Sequence, residues 1–161
     1  MKVPMAGYNE RSWAIDLIGH LKSIAARQNR SIRDAGGEQT VKAEGGSLFP
    51  DVLLFGDRAT ARILQGWELK MPDTEIDDPE FRRNAEIKAD ALGLDSFLLW
   101  NVTRARLYVR EDLNGEFNLA SEWPLNIKGA QIYGRGIRPR TGEVGSLFHR
   151  VPACLPICSH R

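Results

Sequence analysis

Two unbroken apolar runs constrain this chain most: Val52-Leu53-Leu54-Phe55 and Phe97-Leu98-Leu99-Trp100. Each is too short for an ordinary helix, and the first is bounded by Pro50 and Gly56. Such runs suit buried strands. Around them the period changes. From Asn9 to about Arg27, Trp13, Leu17, Ile18, Leu21, Ile24 and Ala25 fall three and four residues apart, which predicts a helix with Asn9 as its N-cap. Asp78-Pro79-Glu80 opens a second helix with a capping acid, a proline at its first position and an acid in its first turn. It runs to about Leu92, and Gly93 stops it.

The remaining segments fall between these. Gln28 to Gly37 is polar and reads as a loop, and Glu38 to Glu44 alternates weakly as a first strand, broken by Gly45-Gly46-Ser47. Pro50 to Phe55 is the next strand, Gly56 to Arg62 a turn, and Ile63 to Met71 the returning strand, ended by Pro72. Ser96 to Trp100 and Ala105 to Arg110 follow, and Asn114-Gly115 signals a hairpin returning through Glu116 to Ala120. Helix, three strands, helix, strand and hairpin make an α/β pattern with a mixed sheet. Residues 1–126 form the expected domain. Residues 127–161 carry six Lys or Arg against one acid, with many Gly and Pro and no period. They read as a basic DNA-contacting arm or as a frayed or aberrant C-terminus. The second is favoured, because the segment has no periodicity with which to bury a face, so poor packing is expected there.

Composition narrows the function classes. A length of 161 residues, 42% apolar and 27% charged, is that of one ordinary globular domain. Net charge is +1, so contact with nucleic acid must come from local basic patches. No apolar run reaches membrane-spanning length, and Met1 to Tyr8 lacks the apolar core of a signal peptide, so the cytoplasm is the expected compartment. Cys154 and Cys158 lie beside His160, but no second ligand pair exists, so they read as two thiols in a loose tail. No phosphate-binding G-x-x-x-x-G-K loop, G-x-S-x-G elbow or H-E-x-x-H pair is present.

One constellation carries chemistry. In Glu68-Leu69-Lys70, the first and third residues of a strand share a face. Asp51 and Glu68 stand about equally far from the turn at Asp57 to Ala61, so a hairpin sets them roughly opposite each other. Two carboxylates aimed at one point repel unless a cation or proton lies between them. Oxygen ligands with an open, hydrated site suit Mg²⁺ or Mn²⁺. Lys70 alongside can act on water or neutralise phosphate charge. Against this, a single E-x-K is common on solvent-facing strands. Glu86-Ile87-Lys88 has the same spacing inside a helix, where the two side chains diverge.

Pro50-Asp51 followed by Glu68-Leu69-Lys70, with the element order around them, resembles the PD-(D/E)XK nuclease superfamily over about Asn9 to Arg110. Within it the chain looks most like nuclease modules of restriction-modification systems. The resemblance implies a restriction-endonuclease-like core and Mg²⁺- or Mn²⁺-dependent hydrolysis of DNA phosphodiesters in restriction or phage defence. It makes Asp51 and Glu68 metal ligands and Lys70 the catalytic lysine. It offers Glu10 on the first helix as a further ligand, with Asp16 as the alternative. Relatives with a Gln motif on the second helix are matched here only by Asn84 and Lys88, as accessory candidates. Lys88 lies in an apolar stripe with Phe81, Ala85, Ala89 and Leu92, so it either snorkels to solvent, the commoner case, or reaches the site. Expected partners are DNA, a methyltransferase or a translocase or helicase, and a second copy for double-strand cutting. The alternative is a catalytically silent DNA-binding or assembly module on the same fold.

Overall fold

The computed structural model describes residues 9–27, 31–37, 49–124, 131–133 and 136–138. Helix α1 spans Glu10–Arg27, and α2 spans Pro79–Ala91. Strands β1 (Asp34–Gly36), β2 (Val52–Asp57), β3 (Arg62–Leu69), β4 (Ser96–Trp100), β5 (Arg104–Val109) and β6 (Asn118–Pro124) form one sheet in chain order. Every neighbouring pair is antiparallel except β3 and β4, which are parallel. A parallel pair needs a crossover, and α2 supplies it. The architecture is α/β with a mixed six-stranded sheet.

The apolar runs make sense once both faces are covered. Leu98 and Trp100 pack with Trp13, Leu17 and Leu21 of α1, whereas Phe97 and Leu99 pack with Phe81, Ala85 and Ala89 of α2. A strand sandwiched between helices has no solvent face and therefore no polar alternation. Trp13 meets Trp100 edge to face at 5.0 Å between ring centroids, tying α1 to the central strand. Both helices start where the caps lie. The Asn9 side chain accepts from the Ser12 N–H at 3.0 Å, and Asp78 accepts from Glu80 and Phe81 at 2.8 and 3.0 Å. Gly93 follows α2 at φ +62°, the left-handed conformation that glycine adopts without strain.

Two expectations need correction. A strand occupies Asp34–Gly36, inside the stretch read as a loop; it is three residues long and lies at the sheet edge, too short to leave a period. The strand expected at Glu38 to Glu44 lies outside the described residues. The last strand of the sheet begins at Asn118, not Glu116, because the connection is organised by Asp112. Its carbonyl takes the Gly115 N–H at 3.0 Å and its carboxylate the Asn114 N–H at 2.8 Å, which makes a longer loop than a two-residue hairpin. Within the segment expected to pack poorly outside the core, β7 (Gln131–Tyr133) and β8 (Gly136–Arg138) pair with each other as a ladder separate from the six-stranded sheet. Most of that segment, including Cys154, Cys158 and His160, lies outside the described residues.

One close approach sets where the candidate site begins. A Cβ at Gly66 of β3 would lie 2.5 Å from Pro50 Cγ, and the proline ring cannot swing away. Gly66 thus lets β3 pass against the residue that precedes Asp51. Gly66→Ala is expected to destabilise the fold by about 1–3 kcal/mol through overpacking, read as a lower urea midpoint with an unchanged slope. An unchanged midpoint would show that this contact is not tight.

Candidate functional site

The β2–β3 register pairs Val52 with Trp67, so one step further Asp51 stands opposite Glu68. Opposed residues of an antiparallel pair share a face. Trp67 and Leu69 pack towards α1, so Glu68 between them points to the α2 side of the sheet. It is only 6% exposed. Asp51 is partly buried, and its Oδ2 accepts the Leu69 N–H at 2.7 Å, which fixes the carboxylate against the end of β3. Lys70 lies just past β3, where its N–H donates to the Trp100 carbonyl at 3.0 Å. These bonds hold the three residues on backbone that is anchored in the sheet centre.

The lysines are engaged. Lys88 reaches across from α2 and donates to both Glu68 oxygens at 2.8 Å. It therefore turns inward, not to solvent as the commoner behaviour of such a lysine would have it. Lys70 Nζ meets Glu10 Oε2 at 3.3 Å, joining the start of α1 to the end of β3. Glu10 thus stands against Lys70. Asp16 is partly buried further along α1, and Asn84 is exposed on α2. Among the described residues no group of three His, Cys, Asp or Glu could hold a metal ion by itself. What the structure brings together is a carboxylate pair, Asp51 and Glu68, and two lysines.

The electrostatics of that pair are unusual. Burial, and then the charge of Asp51, push the Glu68 carboxyl up to about 7, against the pull of Lys88 and Lys70. Burial also raises Asp51, and Glu10 adds to this, while the Leu69 N–H and the two lysines oppose it. Glu68 therefore holds its proton to higher pH folded than unfolded. Its contribution to stability is full below the ordinary value of 4.5 and is lost as pH rises through about 7. The metal-free protein should lose on the order of 2–3 kcal/mol across that window, and Glu68→Gln should remove that part of the slope. Urea midpoints measured at several pH values test this; equal slopes in both proteins would contradict it.

Asp51 and Glu68 are oxygen donors of the type a hard divalent cation takes. Asp51 raises the proton affinity of Glu68 even with Lys88 on both Glu68 oxygens, and Mg²⁺ commonly takes one or two carboxylates while keeping several waters. The engagement of Lys88 was the feature least visible beforehand. Its place in the apolar stripe of α2 was the available signal, and the crossover from β3 to β4 that lays α2 over Glu68 decides its direction. Compared with models of protein families, with curated proteins and with solved structures, the chain matches none. Among the described residues no helix is long and apolar enough to cross a membrane.

Proposed function

We propose that this chain is a metal-dependent deoxyribonuclease, or the nuclease module of a larger DNA-processing assembly, on a restriction-endonuclease-like core. The observation that carries the reading is the opposed pair of Asp51, partly buried, and Glu68, buried, with Lys70 at the same end of the sheet. Asp51 and Glu68 would hold Mg²⁺ or Mn²⁺ through oxygen atoms. The ion, when bound, would polarise a phosphoryl oxygen and acidify a water. Lys70 orients the attacking water and offsets charge gathering on the phosphate. Glu10, paired with Lys70, positions that ammonium, and Lys88 favours the charged form of Glu68 against the effect of burial. Restriction or phage defence is the setting proposed, with a methyltransferase or translocase as partner and a second copy for cutting both strands.

The ion pairs Lys88–Glu68 and Lys70–Glu10 also suit a second reading. A silent DNA-binding module on this fold would keep its charges internally compensated in just this way. Nicking of a supercoiled plasmid separates the two. The nuclease reading expects relaxation with Mg²⁺ or Mn²⁺ and none with chelator. Cleavage that persists after Asp51→Ala would count against it.

A further inference from the structure

A groove of about 570 Å³ opens at Asp51, between α1 and β1. Asp51 and Glu10 line one end, Gly36 and Gly37 line the sheet side, and α1 forms the long wall. Along that wall Arg11, Ile15, Ile18 and Lys22 fall at spacings of four, three and four, so they make one stripe. Eleven residues separate the two basic groups, close to three full turns and about 16 Å of rise. That is the axial rise of about five nucleotides in one strand of B-form DNA.

The stripe flanks the core face of α1, with Ile18 partly buried against it. Trp13, Leu17 and Leu21 form that face, while Ile15 is 63% exposed. Arg11 and Lys22 are exposed, and among the described residues neither makes an ion pair. Arg27, Arg33, Arg62 and Arg83 are likewise outside the ion pairs of the described residues, but none of them lines the groove. Beside the stripe, Gly19 leaves open space: a Cβ there would meet nothing within 4 Å. A helix interior that gives up a side chain at this point loses helix propensity and gains room. The groove therefore has acids at one end, bases along its length that are without an ion pair among the described residues, an apolar side chain between the bases, and clearance.

We propose that one strand of duplex DNA runs from the Asp51–Glu68 pair along α1, its phosphates held by Arg11 and Lys22 and a sugar edge resting on Ile15. The inference rests on the nuclease reading and adds the direction in which the substrate leaves the site. Each basic contact releases counterions on binding, so it leaves a mark in the salt dependence.

The test is fluorescence anisotropy of a labelled DNA duplex with the intact chain in EDTA, where no metal-dependent cleavage competes. Arg11→Ala/Lys22→Ala is expected to weaken binding at least tenfold at low salt and to flatten the log–log salt slope by about 2. Gly19→Phe is expected to weaken binding too, while melting no lower than the parent. Arg62→Ala/Arg83→Ala removes the same charge away from the groove and should cost far less. Equal losses in the two double variants, or no binding by the parent, would overturn the strand path. Calorimetry with Mn²⁺ keeps the two ideas apart. If the Arg11/Lys22 variant binds metal and DNA like the parent, the path is wrong and the nuclease reading stands. If the parent takes up no Mn²⁺, the nuclease reading falls.

Discussion

Lys70→Ala is expected to abolish DNA cleavage while leaving Mn²⁺ uptake largely intact. The division of labour follows from the chemistry of the groups. In the proposed nuclease, carboxylates would hold the cation, and an ammonium group, with no lone pair to offer, cannot be a ligand. Its work would be on the water and on the phosphate. Electrostatic and acid–base roles of this kind carry roughly 10²–10⁴-fold in rate. The variant also releases Glu10, whose carboxylate meets Lys70 at 3.3 Å, but both groups are more than a third exposed, so the fold should tolerate the change. Asp51→Ala should behave differently and lose both metal and activity, because it removes one ligand of a two-carboxylate set. Plasmid nicking paired with calorimetry reads the two outcomes separately. Undiminished cleavage by the Lys70 variant would mean that the activity arises elsewhere.

The second large effect belongs to stability. Lys88→Met should cost about 3–5 kcal/mol above pH 7, because it leaves the Glu68 charge buried without its partner. Both groups are well covered: the Glu68 side chain is 8% exposed and that of Lys88 20%. Below pH 6 the cost should shrink, since Glu68 can then take up a proton instead. Adding Glu68→Gln should recover most of the loss, since a buried amide needs no counter-charge. Urea denaturation of the single and double variants at pH 6 and pH 8 tests the cycle. A double variant no more stable than Lys88→Met would show that Lys88 acts through packing rather than charge.

Much of this was legible because the strong signals are local. Asn9 and Asp78 cap their helices as their residue types suggest, and Ser96–Trp100 is a strand of the expected bounds. The pairing of Asp51 with Glu68 followed from counting outward from one turn, although bulges between Leu54 and Asp57 absorb some of the count. Other features could not be read. β1 gains its place from the edge of β2, not from any pattern in its three residues. The start of β6 depends on two bonds made by Asp112. The inward turn of Lys88 depends on which face of the sheet α2 covers, and spacing along one helix does not carry that information. The role of Glu10 is in the same class: its carboxylate meets Lys70 only because α1 begins beside the end of β3.

The proposed function stands or falls with a divalent-cation site at Asp51 and Glu68. Isothermal titration of the intact chain with Mn²⁺, beside Asp51→Asn, tests it most directly. The asparagine keeps an oxygen able to accept the Leu69 N–H that Asp51 now takes at 2.7 Å, so the fold is retained while the ligand charge is removed. Saturable uptake near one Mn²⁺ per chain is expected in the parent, strengthening as pH rises through about 7 where Glu68 ionises, with its loss in Asp51→Asn. Uptake of the same strength in both proteins, or none in the parent at pH 8, would contradict it.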